Sequence, residues 1–309
     1  MEKIIKFRLS FLLLVLLLFI IQISFVYGQP SKEEQDALRK KIKASNISSI
    51  KVTKYDYKFG TKEEEGTKLK YMEFNDAGDM VSEIRYKYGE DEFRKVLYKY
   101  DKKAGETEIT TIDADDVIKK LTREKYNKGG YLIEESEYSS SGNLFYKIIY
   151  DYSSFNRIVK ETKFNNSGNI QRFTDYIYDD SGNLIEKTTK SDSVNVLEKT
   201  TYTYDVSGNR IEENAYNREG NIKDKYLFKY EGNNRIEEVK LNSEGKMVYK
   251  VTNKFDAAGN KTERTLFSAD GETISVKLNY KYDKNGNLQE ELESDKIGEK
   301  KKVIIYEFN

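Results

Sequence analysis

The sequence contains no cysteine and no histidine, and these two absences restrict what the protein can be. Without cysteine there is neither a disulfide framework nor a thiol for lipid attachment, so an exported chain must be stabilised by burial and strand pairing. Without histidine, the commonest general base and metal ligand is missing, together with the usual zinc sites and every Ser-His or Cys-His arrangement. We therefore expect no enzymatic activity, no cofactor and no bound metal.

The overall charge gives no long-range attraction to nucleic acid. Lys plus Arg and Asp plus Glu both number 53, and removal of residues 1–28 would leave 50 basic against 52 acidic side chains. A net charge near −2 predicts no nucleic-acid partner. Charged residues make up 34% of the chain, but the 25 Tyr and 15 Phe distinguish it from disordered proteins, which are poor in aromatics.

Residues 1–28 have the pattern of a secretory signal peptide. Lys3, Lys6 and Arg8 precede an apolar run at 11–21, and Gly28 ends a segment suited to cleavage. The alternative is an uncleaved anchor, since the apolar stretch approaches the roughly 20 residues that span a bilayer. In that case this segment would be the only membrane contact. We expect an exported protein located in the periplasm, at the cell surface or in the medium.

An aromatic residue recurs with a period of 26 residues, interrupted by one spacing of 25 and one of 27. This first row is Phe74, Tyr100, Tyr126, Tyr152, Tyr178, Tyr204, Tyr230, Phe255, Tyr282 and Phe308. A second row, two residues earlier, is Met72, Tyr98, Tyr150, Tyr176, Tyr202, Phe228, Tyr280 and Tyr306, interrupted by Glu124 and Asn253. A half-period row is Tyr86, Ile112, Tyr138, Phe164, Tyr216, Leu241 and Phe267. Each unit therefore contains two similar halves.

Turn motifs of the form Asp-x-x-Gly-Asn separate these halves. Their residues include Asp179, Gly182 and Asn183, then Asp205, Gly208 and Asn209, and then Asp283, Gly286 and Asn287. Asp accepts backbone N–H bonds across such a turn, while Gly adopts the positive φ that closes a short hairpin loop. Loops this short join antiparallel strands.

The predicted fold is all-β, with tandem antiparallel hairpins in 50–309 forming a long twisted or spiralling meander of about twenty strands. We expect this sheet to be a curved strip or an open spiral. Residues 29–49 form a leader in which the segment 35–44, after an N-cap box beginning at Ser31, is either a short helix or a flexible charged stretch.

The segments 176–184, 202–210 and 280–288 read Tyr-x-Tyr-Asp-x-x-Gly-Asn-Leu/Arg, which resembles the core of the YD (Rhs-type) repeat family. A degenerate form continues over most of 70–309. The resemblance implies a spiralling antiparallel sheet and a surface location. Large Rhs and toxin-complex members close into a hollow shell around a toxin domain. This sequence lacks their Asp-Pro-x-Gly-Leu signature, and we expect a short array without a C-terminal toxin domain.

Eight aromatic side chains are candidates for stacking against a sugar ligand, because sugar C–H faces pack on aromatic rings. They are Tyr176, Tyr178, Tyr202, Tyr204, Phe228, Tyr230, Tyr280 and Tyr282. The alternative is that these rings only fill the concave face of the sheet. Calcium binding at the Asp turns is less consistent with the sequence than turn stabilisation, because the acidic ligand set is too sparse.

Adjacent acidic pairs such as 212–213, 237–238 and 290–291 cannot flank one glycosidic bond on a regular strand, since neighbouring residues face opposite sides. We interpret these pairs as solvated sheet surface.

The predicted function is a non-enzymatic scaffold with an extended surface for an unknown envelope protein or polysaccharide. The alternative is an Rhs-like shell that encloses a partner polypeptide. An outer-membrane barrel is disfavoured, because Lys and Glu occur at both strand parities and leave no continuous apolar face.

Overall fold

The computed structural model describes residues 32–87, 92–191 and 195–309. The predicted signal segment lies outside the described residues. In the described part, no helix is both long enough and apolar enough to cross a membrane. One helix, α1, covers Lys32–Ala44. The strands are β1 (Ser49–Lys58), β2 (Thr61–Lys62), β3 (Thr67–Phe74), β4 (Met80–Tyr86), β5 (Glu92–Asp101), β6 (Glu106–Asp113), β7 (Ile118–Tyr126), β8 (Leu132–Ser139), β9 (Leu144–Tyr152), β10 (Ile158–Asn165), β11 (Ile170–Tyr178), β12 (Leu184–Lys190), β13 (Val196–Tyr204), β14 (Arg210–Tyr216), β15 (Ile222–Glu231), β16 (Asn234–Asn242), β17 (Met247–Phe255), β18 (Lys261–Phe267), β19 (Ile274–Tyr282), β20 (Leu288–Ser294) and β21 (Lys300–Phe308).

Helix α1 confirms the predicted N-terminal helix. It begins three residues earlier than the segment expected from the sequence, and a flexible leader is the wrong alternative over this stretch. Lys41 and Lys43 lie in the last turn of the helix, where their charges complement its negative end.

Each strand from β3 to β20 pairs antiparallel with the next, so two strands account for one 26-residue unit. Most of these pairings contain a register shift beside an aromatic residue, as at Tyr178, Tyr204 and Phe164. These shifts are β-bulges next to the turns. A bulge bends its strand and increases the local twist. The aromatic rows therefore mark the positions where curvature enters the sheet.

The expected open strip or spiral is wrong, because the sheet closes on itself. Strand β1 pairs with β3 on one side and with β21 on the other, with Ile50 opposite Phe308 and Val52 opposite Tyr306. All 21 strands form one sheet, and β2 only extends a hairpin from β1, which leaves twenty strands in the ring. The accumulated bend of the bulged hairpins, together with these apolar pairs at the seam, accounts for closure.

The odd-numbered strands β3 to β19 all end at the same rim of the barrel. We call this the Asp-Asn rim; its turns are 75–79, 102–105, 127–131, 153–157, 179–183, 205–209, 232–233, 256–260 and 283–287. Helix α1 also lies at this end, where Ile42 is buried against Ile50, Val52 and Met72. The main apolar cluster of the described residues is therefore at one mouth of the barrel.

Candidate ligand site in the barrel lumen

The two full-period aromatic rows face the interior of the barrel: Met72 and Phe228 of the second row are 1% and 5% exposed, whereas Ile177, on the opposite face of β11, is 49% exposed. Tyr176 and Tyr178 lie two residues apart on β11 and therefore point to the same side. The same spacing applies on β13, β15 and β19, so all eight predicted stacking aromatics share this face. Burial raises the pKa of Tyr202 to about 12 and also raises the pKa of Tyr204. The inner face is therefore lined by partly buried rings.

The last tyrosine of several odd-numbered strands holds the neighbouring strand by a hydrogen bond. The hydroxyl of Tyr178 donates to the carbonyl oxygen of Ile158 at 2.8 Å. The same contact links Tyr204 to Leu184, also at 2.8 Å. Equivalent bonds are made by Tyr100, Tyr152 and Tyr282. We call these five residues the latch tyrosines. Three of the predicted ligand-stacking residues are thus latches between strands.

The rings of the second row lie beside charged side chains. The hydroxyl of Tyr176 lies 3.1 Å from a carboxylate oxygen of Glu161. The Phe228 ring lies 5.2 Å from the guanidinium of Arg210 and 5.1 Å from that of Arg235. Guanidinium groups at this distance are attracted to the ring face. These rings therefore present apolar surface beside groups that can donate and accept hydrogen bonds, a combination that suits polyhydroxylated ligands.

The sequence interpretation missed a set of inward-facing glutamates. Glu213 lies opposite Tyr202, and Glu291 lies opposite Tyr280. Burial raises the pKa of both carboxyl groups. Glu238 is also on this face, and only 7% of its surface is exposed. The acidic pairs were interpreted as solvated surface, which is wrong for these three members. Strand alternation alone could have separated each inner glutamate from its outer neighbour.

The predicted turn residues lie at the Asp-Asn rim. The Asp179 carboxylate accepts a bond from the backbone N–H of Asn183 at 2.8 Å and one from its side-chain amide at 2.9 Å. These bonds, the side-chain bond first, lower the pKa of Asp179. Gly182 has φ +87, a conformation that other residues rarely adopt. The turns at Asp205 and Asp283 repeat the arrangement, with Gly208, Asn209, Gly286 and Asn287 in the equivalent places.

A groove of about 570 Å³ lies between two neighbouring turns of this rim. It brings together Asp179, Asn183, Tyr202, Tyr204 and Asp205. These carboxylates already accept hydrogen bonds within their own turns. Within the described ranges, no group of three or more acidic side chains is arranged to hold a metal ion.

The half-period aromatic row faces outward, where charged side chains cover it. The ammonium of Lys147 lies 5.7 Å from the centre of the Phe164 ring, and that of Lys250 lies 4.8 Å from Phe267. Between these rings the outer wall carries cross-strand ion pairs. They include Lys190–Asp175, Lys199–Glu186, Lys225–Glu212, Lys229–Glu237, Lys254–Glu263 and Lys281–Glu290. The described outer face therefore carries many paired charges with exposed apolar side chains such as Phe145, Ile177 and Val248 between them, whereas the inner face is aromatic and polar.

No protein family model matches this sequence, and no curated protein matches it. Among solved structures, a porin-like protein from Bacteroides uniformis is 12% identical with a TM-score of 0.39, and the match covers 85% of this chain and 98% of that one. A porin-like protein from Bacteroides vulgatus is 10% identical with a TM-score of 0.26 and the same coverage. The TcdB2-TccC3-Cdc42 structure is 13% identical with a TM-score of 0.22; the match covers 77% of this chain and 19% of that one.

Closure of the barrel corrects the functional prediction. An open scaffold with an extended binding surface is wrong, because the aromatic rows that would form this surface line a closed interior. The Rhs-like shell fits no better. The closed ring of antiparallel strands agrees with the barrel architecture, which the sequence analysis had disfavoured.

Proposed function

We propose that this protein is a barrel of the cell envelope that binds a polar, hydroxyl-rich ligand, of the oligosaccharide class, inside its lumen. The observation that carries the proposal is the inward-facing second row, in which Tyr202 lies opposite Glu213, Tyr280 lies opposite Glu291, and the Tyr176 hydroxyl bonds to Glu161, with all three glutamates partly buried. Rings can stack on the C–H faces of a sugar, while carboxylates and phenols accept and donate bonds to its hydroxyls.

The size of the ring supports this proposal. Twenty strands spaced about 4.8 Å apart measure about 95 Å across the strands, which corresponds to at least roughly 30 Å between opposite backbones in a round cross-section, because strand tilt widens the ring. Side chains from both walls narrow this space but leave room for an extended chain of sugars. A barrel of this size has an interior wider than its own side chains fill.

The outer wall favours contact with water. At Lys199, Lys225 and Lys277 the ammonium groups pair with carboxylates on neighbouring strands. A charged side chain facing lipid costs about 2–4 kcal/mol near the bilayer midplane. Several such residues on adjacent strands make a hydrated outer face the more stable arrangement. We therefore place the barrel in the aqueous part of the envelope, after export directed by residues 1–28.

A membrane pore is the second candidate, because an even-numbered, closed antiparallel ring is the topology of bacterial pores. The same topology is compatible with membership of the YD-repeat family, which we retain as part of the proposal. The lumenal binding barrel and the membrane pore differ in what surrounds the outer wall, which is water in the first case and lipid in the second.

The test compares inner and outer aromatic variants. Isothermal titration with soluble oligosaccharides, on the mature chain, identifies a binding sugar for the wild type. We expect Tyr202→Ala and Phe228→Ala to weaken its binding at least tenfold, and Phe164→Ala on the outer wall to leave it unchanged. Circular dichroism checks that each variant is folded.

Equal affinity in all three variants would contradict lumenal binding. Failure of every sugar to bind, combined with stepwise conductance in planar bilayers, would favour the pore instead. Flotation with liposomes gives an independent check, since the hydrated barrel should stay in the aqueous fraction.

A further inference from the structure

Helix α1 lies across the Asp-Asn rim and contacts turns from separate parts of the ring. The ammonium of Lys32 lies 5.4 Å from the ring centre of Tyr131, in the turn after β7. In the turn after β3, Gly78 lies directly against the helix, and a Cβ atom there would clash with the carbonyl oxygen of Arg39. This turn tolerates the helix because its glycine has no side chain.

A single carboxylate holds the middle of the helix to the rim. Asp79, whose side chain is 1% exposed, forms ion pairs with Arg39 of the helix and with Lys102 of the next turn, the latter at 2.9 Å. Burial alone would raise the pKa of Asp79, but the bond from Lys102 and the charge of Arg39 outweigh it and hold the pKa below its usual value. The charged carboxylate therefore bridges the helix and the barrel wall.

The apolar side of the helix enters the mouth. Ile42 has no exposed surface and packs with Ile50, Val52 and Met72 on the inner face of the seam strands. Because these three residues line the interior, α1 occupies part of the opening itself. Full burial of an isoleucine stabilises this docking.

One residue of the same helix opposes docking. The Nζ atom of Lys41 is buried and has no hydrogen-bond partner among the described residues. Burial lowers the pKa of Lys41 to about 8, although the charge of Asp283 acts in the opposite direction. A buried cation without a bonded partner carries a desolvation penalty. The docked helix thus combines a strong anchor with a built-in cost, as expected of an element that can detach.

We infer that α1 is a reversible lid over the Asp-Asn mouth and that its release controls the access of ligands to the lumen. The turns that it contacts, after β3 and β7, are four strand steps apart in the twenty-strand ring. A helix of 13 residues is about 20 Å long and about 10 Å wide, so it obstructs at most roughly a third of an opening of roughly 30 Å and narrows the path into the lumen. This inference rests on the proposed function, because a lid has a role only if molecules enter the barrel.

The test uses two glycines with the same backbone conformation and different surroundings. Gly78 has φ +82 and lies under α1. Gly220 has φ +83, and a Cβ atom added there would have no other atom within 4 Å. Both Gly→Ala changes impose the same conformational strain, but only Gly78→Ala pushes against the helix. Arg39→Gln is a second variant, which weakens the contact with Asp79 without altering a turn.

Two measurements follow, and neither needs the natural ligand. Hydrogen exchange reports whether α1 is released, and we expect its amides to exchange at least tenfold faster in Gly78→Ala and Arg39→Gln. For access, Lys187→Cys places a thiol on the inner face opposite Tyr176, in a chain that has no other cysteine. We expect this thiol to react several-fold faster with a maleimide–polyethylene glycol in both lid variants. Gly220→Ala should match the parent in both measurements.

Faster exchange of α1 with unchanged thiol labelling would overturn the lid and leave the helix as a packing element. Unchanged exchange in both lid variants would also overturn it, because these contacts would then not hold the helix. The labelling result is independent of oligosaccharide binding. A lid effect without sugar binding would refute the proposed ligand but not the gate, and sugar binding without a lid effect would do the reverse.

Discussion

The latch tyrosines provide the sharpest test of how the barrel is stabilised. In Tyr282→Phe the ring remains, but the bond from its hydroxyl to the carbonyl oxygen of Lys261, 2.8 Å long, is lost. A hydrogen bond of this kind contributes about 1 kcal/mol net, and an unsatisfied carbonyl at a partly buried position adds to the loss. We expect the free energy of unfolding to fall by about 1–2 kcal/mol.

The matched control is Tyr280→Phe, two residues earlier on the same strand and face. The Tyr280 hydroxyl makes no backbone bond among the described residues, so its removal should cost less than about 0.5 kcal/mol. Urea unfolding followed by circular dichroism measures the free energy of unfolding of both variants. The comparison requires that the dependence of this free energy on urea concentration, the m-value, is the same in both. Equal destabilisation by the two changes would refute the latch interpretation, because only the ring would then matter.

Replacing all five latch tyrosines together extends this test. Five latch tyrosines hold adjacent strand pairs, and neighbouring units of the repeat are roughly 10 Å apart. At that distance the effects of separate substitutions should be nearly additive. The fivefold Tyr→Phe variant should therefore lose about 5 kcal/mol or more, a large fraction of the stability of a typical domain. A much smaller total would show that the latches compensate for one another.

Further predictions concern buried charges and the seam. The pKa of Lys261 is lowered by burial to about 8, so the folded state releases its proton more readily than the unfolded state. Stability should rise between about pH 8 and 10.5 by up to about 3 kcal/mol, and Lys261→Met should flatten this rise in pH-dependent urea unfolding. The pKa of Asp79 is lowered instead, so its contribution should be present above about pH 4 and lost below it. In hydrogen exchange referred to the intrinsic rate at each pH, the protection of the α1 amides should fall in acid, and Asp79→Asn should show low protection at every pH. At the seam, Val52→Ala should cost about 1–3 kcal/mol in thermal unfolding, whereas Val248→Ala, at a position 41% exposed, should cost less than about 0.5 kcal/mol. Similar losses at the two valines would contradict a seam that depends on apolar packing.

Much of the local structure could be predicted, because the spacing of residues in the repeat indicates where the strands and turns lie. The spacing from Tyr178 to Tyr204 predicts two strands per unit, and Gly182 marks a turn that needs positive φ. The helix after residue 31 also follows from local signals. Each of these features depends on interactions between residues close together in the chain.

The candidate site could be predicted only in part. Alternation along a strand places Tyr202 and Tyr204 on one face, but it does not reveal that this face is enclosed. Nor does it show that the Tyr204 hydroxyl reaches the backbone of the neighbouring strand. Glu213 could have been assigned to the same face as Tyr202, because the turn between their strands is short and the register follows from it.

The sequence by itself determined the hairpin unit, its turns, and the position of the full-period aromatic rows on one face of their strands. Only the tertiary structure decided that the first and last strands meet, with Ile50 opposite Phe308, and that α1 covers one mouth. The physical reason is distance along the chain. Closure depends on the sum of many small bends and on contacts between residues more than 250 positions apart, and no local pattern contains either quantity.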